Sequence, residues 1–245
     1  MIPMRPCNLT ARLAAFLAAL ATLLALAGCA STGEKSAGQQ ASKFKMEDGR
    51  TVDIGRASPA SGGGMNYKSP HFEKIWVADS LDFNAYDTIY VAPTLSTAKI
   101  NKDEQRPHDL ARENLPIELA RMFTNRKLFA NVATRETDVK PGARLLKLEN
   151  TIVEYAKGGG AARYFAGLYG AGQPVVRVQG RITDGEKTLF RFEARRSGVS
   201  AGARMGGGFM KDEDIQLEDI RSVVLDLTDF VEIIARKMPI KKEAP

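Results

Sequence analysis

The sequence predicts an α+β domain: a mostly antiparallel sheet of four or five strands with two main helices packed on one face. Strand alternation is clearest where Val176, Val178 and Ile182 alternate with Arg177, Gln179 and Arg181, and where Phe190, Phe192 and Ala194 alternate with Arg191, Glu193 and Arg195. Period-2 patterns of this kind mark strands with one buried face, and Asp184-Gly185 between the two runs marks a hairpin turn. Ile220, Val223, Val224, Leu227, Val231 and Ile234 instead recur at helical spacing, with Asp212, Glu213 and Asp214 near the helix start, where the dipole favours acidic groups. The order strand, helix, strands, hairpin, helix places helices on one side of an antiparallel sheet.

The elements follow in chain order. Arg5 and Arg12 precede an uncharged apolar run from Leu13 to Leu26. At 14 residues this run is too short for a membrane span and suits the h-region of an export signal. It closes on Leu26-Ala27-Gly28-Cys29, which resembles the lipobox of bacterial lipoproteins. The resemblance implies cleavage after Gly28 and a diacylglycerol and N-acyl chain on Cys29, so residues 1–28 are expected to be a signal peptide. Two or three acyl chains, each adding about 0.8 kcal/mol per buried methylene, anchor a protein without a spanning segment. By analogy with lipoprotein sorting, Ala30 after the cysteine implies the outer membrane.

Residues 29–70 are rich in Ser, Gly, Ala, Gln and Lys, including Ser61-Gly62-Gly63-Gly64, and are expected to form the lipidated N-terminus and a flexible tether. A small hairpin through Asp48-Gly49 is the one local structure the segment suggests. Residues 71–245 are expected to form a single envelope domain. Tyr86-Asp87-Thr88-Ile89-Tyr90-Val91 reads as its first core strand, stopped by Pro93. A helical period runs through Leu110, Leu115, Leu119, Met122 and Phe123, with Pro116 expected to kink the helix or restart it near Asn114. Leu145 to Tyr155 reads as a strand with Leu146, Leu148 and Ile152 on one side.

Composition excludes several functions. Two cysteines and two histidines in 245 residues cannot build a four-cysteine zinc site or a disulfide framework. If Cys7 departs with the signal and Cys29 carries lipid, no thiol remains for catalysis, and the net charge falls from +6 to +4. No metal and no cofactor beyond the covalent lipid is expected. A modest positive balance does not indicate nucleic acid, which is not among the expected partners.

The most unusual internal stretch runs from Gly158 to Gly172. It lacks the Lys-Ser/Thr end of a phosphate loop and leads into a strand instead of a helix, so phosphate-loop readings fail. Its plain role is a glycine-rich strand connection. The pattern on Gly159, Arg163, Gly167, Gly170, Ala171 and Gly172, followed by the strand from Val175 to Ile182, resembles a family of bacterial lipoproteins known as domain of unknown function 4410. The lipobox, the Ile89-Tyr90-Val91 strand and the cluster Gly206-Gly207-Gly208 lie in that family's order, with coverage from Tyr86 to the C-terminus. The resemblance implies a location without a reaction. In element order alone the domain is similar to lipoproteins that help assemble envelope machines, such as the curli secretion channel. That similarity suggests that Tyr164, Phe165, Leu168 and Tyr169, with Arg163, contact lipid or a neighbouring subunit.

A second binding surface follows from strand register. For Val178 and Ile182 to share a core face with Phe190 and Phe192, paired residue numbers must sum to an even value, which suggests a three-residue connection Gly185-Glu186-Lys187. Arg181 then faces Arg191, and Arg177 faces Arg195. Like charges directly opposite destabilise a hairpin unless an anion intervenes. Glu149 or Glu193 supplies it within a solvated face; otherwise the arginine stripe receives an acidic envelope polymer or protein.

Catalysis finds little support. Gly198-Val199-Ser200-Ala201-Gly202 matches a nucleophile elbow, but His71 and His108 both precede Ser200, whereas the α/β-hydrolase order needs the histidine afterwards. His108 reads as a helix-start or surface residue, and no catalytic residue is assigned. The sequence therefore predicts a non-enzymatic, lipid-anchored, periplasm-facing envelope binding or assembly module, the alternative being a periplasm-facing hydrolase with an unrecognised site. Its expected partners are the membrane, envelope proteins or an anionic envelope polymer, and a second copy of itself.

Overall fold

The computed structural model describes residues 41–158, 174–197 and 212–240. Its first element is a hairpin of β1 (Ser42–Lys45) and β2 (Thr51–Ile54), turning at Asp48-Gly49, where Gly49 adopts φ 83°. There follow β3 (Ala57–Pro59), β4 (Met65–Tyr67), β5 (Lys74–Val77), β6 (Thr88–Val91), β7 (Leu95–Ser96), helix α1 (Gln105–Asn125) and β8 (Asn131–Ala133). The long strands β9 (Leu145–Ala156), β10 (Val175–Asp184) and β11 (Lys187–Ser197) come next, and helix α2 (Asp212–Ala235) closes the described chain.

The main sheet has nine strands, which corrects the expected four or five. Its order is β3-β4-β5-β11-β10-β9-β6-β8, with β7 pairing β9 just beyond the end of β6. Strands β6, β7 and β8 pair in parallel and the others antiparallel. The additional strands are two to four residues long, too short for an alternation to register in the sequence.

Four strands also fall inside residues 29–70, where a flexible tether was expected. Here the apolar positions come in short pairs, Phe44 with Met46 and Val52 with Ile54, and all four are buried. Polar anchoring does the rest. Arg50 forks onto Asp229 of α2 at 2.8 and 3.0 Å, Arg126 at the end of α1 reaches Asp229 at 2.6 Å, and Arg126 also pairs with Glu232. Asp229 is 1% exposed and accepts from both guanidiniums, so hairpin and helices are locked through one buried carboxylate.

Helix α1 runs unbroken through Pro116, so it does not restart near Asn114. Pro107 sits in the first turn, where a missing N–H costs nothing, but Pro116 removes an interior hydrogen bond at a cost of about 3 kcal/mol. Burial of Leu115, Leu119 and Phe123 on the core side, about 1.5–3 kcal/mol each, outweighs it. Leu110, expected on that stripe, is instead exposed, and His108 lies at the helix start but is buried, not on the surface.

The core lies between the helices and one sheet face, where Leu146, Leu148, Ile152, Val176, Val178, Ile182, Phe190 and Ala194 are fully buried. Phe230 of α2 meets Phe190 at 5.8 Å and Tyr67 at 5.4 Å between ring centroids. Gly180 also belongs to this face, and a Cβ there would lie 2.3 Å from the Phe192 ring, so only glycine fits. The β10–β11 turn has two residues, Gly185-Glu186, where three were expected. A bulge at Leu189 absorbs the odd residue, and Arg181 faces Arg191 while Arg177 faces Arg195.

Asp229→Asn should destabilise the protein by about 3 kcal/mol in urea unfolding, because it leaves two guanidiniums without their shared buried counter-charge. Gly180→Ala should cost about 1–3 kcal/mol through displacement of Phe192; wild-type midpoints for either variant would contradict these roles.

Candidate functional site

Among the described residues the sheet face opposite the helices is open except toward β6 and β8, where Tyr90, Ala92 and Ala133 are buried with Val139 and Leu145 packed against them. Alternation places Lys147, Glu149 and Thr151 of β9, Arg177, Gln179 and Arg181 of β10, and Arg191, Glu193 and Arg195 of β11 on this face, with Trp76 of β5 and Tyr90 of β6. Most of them floor a groove of about 1330 Å³. The Ala60–Gly63 turn and Asn66 border one end, and Pro93, Leu95 and Glu136 border the other. Arg177 and Arg195 share the face but lie beyond the groove.

The arginine stripe is largely neutralised in place. Arg181 donates to Glu149 at 2.6 Å. Arg177 stands 3.4 Å from Glu154, 3.5 Å from Glu193 and 3.8 Å from Glu73, while Arg195 is 3.7 Å from Glu154. Lys74 binds Glu193 at 2.9 Å, and Lys147 lies 3.2 Å from Glu149 and over the Tyr90 ring. Arg191 differs: among the described residues no carboxylate pairs with it, and its guanidinium instead lies over the Trp76 ring, 5.3 Å from the centroid.

Trp76 is itself clamped. Its indole Nε1 donates to the Gly63 carbonyl at 3.0 Å. Gly64 has φ 84° and no room for a side chain, since a Cβ would sit 2.5 Å from the Val77 carbonyl and 2.7 Å from the indole nitrogen. Its N–H donates to Asp79 at 2.8 Å. Gly64 is therefore fitted against the tryptophan edge, and Gly63 holds the indole through its carbonyl.

Glu149 and Glu193 of the groove floor are held as anions. The hydrogen bond from Lys74, assisted by Gln179 and Arg177, holds Glu193 below its ordinary range. Burial pushes Glu149 upward, but hydrogen bonds from Arg181 and Lys147 outweigh it and leave the carboxyl lowered. The groove thus offers fixed donors, acceptors and an aromatic face, and Glu149 and Glu193 are committed to neighbouring cations.

One serine–histidine contact exists elsewhere. Ser96 Oγ lies 2.9 Å from His108 Nε2, and Asp109 lies 3.4 Å from Nδ1. Ser96 spends its single proton on the Ile152 carbonyl and accepts from the Ala98 N–H, so His108 must donate to it. This imidazole is no base toward that hydroxyl. It is 4% exposed against the Tyr155 ring and fastens β7 to α1.

Arg177, Arg181, Arg191 and Arg195 are thus brought to one face, while Cys29, Arg163, Tyr164, Phe165, Leu168, Tyr169 and Ser200 lie outside the described residues. Trp76, Tyr90, Gln179 and Thr151 escaped sequence reasoning. The available signal was a lone tryptophan downstream of a triple glycine.

No family model matches the chain, and no curated protein matches it. Among solved structures it is similar to the PelC dodecamer from Paraburkholderia phytofirmans, at 14% identity and a TM-score of 0.38 over 63% of this chain and 94% of that one. A Xanthomonas campestris protein of domain of unknown function 330 shows 11% identity and a TM-score of 0.35 over 62% and 86%. A Helicobacter pylori homologue of neuraminyllactose-binding hemagglutinin shows 7% identity and 0.31 over 64% and 93%.

Gly64→Ala should red-shift the emission of Trp76, the single tryptophan of the chain, and destabilise the fold by more than about 1 kcal/mol; an unchanged spectrum would remove the clamp. The lowered glutamate pKa values stabilise the fold above the ordinary value of about 4.3, and that contribution is lost as pH falls through the depressed values. Acid-induced loss of melting temperature should therefore be shallower in Glu193→Gln than in the wild type.

Proposed function

We propose that the chain is a lipid-anchored bacterial envelope protein, a non-enzymatic binding module that receives its ligand in the groove across the open sheet face. The observation that carries this reading is the groove floor, where Glu149 and Glu193 are tied to Arg181 and Lys74 and an aromatic platform is clamped beside them. Ion pairs satisfied by each other present a patterned surface for recognition.

The sequence supplies the setting. Leu26-Ala27-Gly28-Cys29 supports acylation of Cys29, and the glycine–arginine pattern through Arg163 supports kinship with domain of unknown function 4410 lipoproteins. An outer-membrane, periplasm-facing location, an envelope protein or anionic polymer as ligand, and self-association belong to the same proposal.

The test places a photo-crosslinking amino acid at Gln179 in the groove or at exposed Glu113 on α1, in the full chain within its own membranes. An envelope component should be captured from Gln179 and not from Glu113. Equal capture at both positions, or none at Gln179, overturns the groove as the binding surface. Mass spectrometry of the mature N-terminus should find an acylated Cys29.

A further inference from the structure

Resting on the groove as the binding surface, we infer that Arg191 on the Trp76 indole is an oxyanion subsite, and that the ligand it holds is a carboxylated polysaccharide. Arg177, Arg181 and Arg195 each stand within 4 Å of a glutamate, so their charge is spent inside the protein. Arg191 is exposed and has the indole as its neighbour instead. An aromatic face holds a guanidinium without using its in-plane N–H donors. These donors form the planar fork that a carboxylate or phosphate accepts in bidentate fashion.

The surroundings select the polymer. At about 1330 Å³ the groove exceeds the roughly 300–1,000 Å³ of a small-molecule pocket, which fits an extended chain. A peptide added as a strand needs a free sheet edge, yet the floor strands β5, β11, β10 and β9 are each paired on both sides. A peptide read by its side chains needs apolar sockets across the floor, whereas exposed Leu95 and Pro93 lie at one border and the central floor carries Trp76, Gln179, Thr151 and the Arg181–Glu149 pair. Planar amide, hydroxyl and carboxylate groups are the complement of sugar hydroxyls, which both donate and accept, and the indole offers a flat surface to a sugar ring. One unspent cation amid committed ones places a single acidic group per site, in register with hydroxyls on either side.

Because Trp76 is the only tryptophan, its emission reports on this groove alone. Polygalacturonate, neutral dextran, inorganic polyphosphate and polyglutamate would be titrated into the full protein, with calorimetry in parallel so that variants with altered emission can still be measured. Polygalacturonate should bind saturably and shift the emission, and dextran should not. Arg191→Gln should weaken polygalacturonate binding about tenfold or more. Arg195→Gln, already paired with Glu154 outside the groove, should change it less than about twofold by the same reasoning. Arg191→Lys, which keeps the charge without the fork, should recover only part of the loss. Equal binding by Arg191→Gln and wild type overturns the subsite; tighter binding of polyphosphate overturns the carboxylate, and tighter binding of polyglutamate overturns the sugar. Capture from Gln179 with Arg191 dispensable would refute the subsite and leave the binding module standing. Binding at Arg191 with no capture from Gln179 in membranes would refute the module instead.

Discussion

Arg177 faces Arg195 and Arg181 faces Arg191 across the central hairpin, and the rest of the sheet is arranged around accommodating this repulsion. The register that creates it is imposed from the other face. Slipping β10 by one residue would expose Val176, Val178 and Ile182, at about 1.5–3 kcal/mol each, and turn arginines into the core. Opposed like charges cost at most about 1 kcal/mol per pair, so burial fixes the register and the electrostatics must adapt to it. Adaptation comes from β9, whose Glu149 and Glu154 lie opposite Arg181 and Arg177, and from Glu193 within β11. Arg191 receives an aromatic ring in place of a carboxylate, which distinguishes the one subsite cation from its structural counterparts.

The bulges are part of the same solution. In the register that pairs Val178 with Ile152, Arg177 would face Val153. The extra residue at that point of β9 brings Glu154 opposite Arg177 instead, close to both Arg177 and Arg195. In β11 the extra residue Leu189 lets a two-residue turn close the hairpin while the arginine pairs stay in line. Each bulge corrects a local mismatch between an even core pattern and what the open face or the turn requires.

Elements long enough to show a period were legible in the sequence. The alternations of β9, β10 and β11 and the spacing of α2 exceed several repeats, and the opposed arginines followed by arithmetic from the apolar positions. Short strands were not legible, because a three-residue strand such as β4 or β8 is specified by its neighbours in the sheet and not by its own sequence. Helix α1 misled at Leu110 for the same reason, since the fold around the helix and not its own period decided which side was buried. The site was half legible: the cations could be placed on one face, but Trp76, its glycine wall and Arg191 come from three separate segments. Only the fold shows that, among the described residues, Arg191 lacks the carboxylate its counterparts have.

The segment from Ser42 to Tyr67 joins the two faces of the molecule. Toward the helices it is held by Arg50, whose guanidinium shares Asp229 with Arg126. Toward the groove it supplies Gly63, whose carbonyl accepts from Trp76, and Asn66, which pairs opposite Trp76 in the sheet. Composition made this stretch look like tether, because its triple glycine stands out and its apolar residues form no long period. Glycine serves a different purpose here: Gly64 lets the backbone approach the indole where any side chain would collide. The same residue type that loosens a linker thus builds a rigid wall once a large partner stands against it, and the orientation of Trp76 under Arg191 depends on that contact.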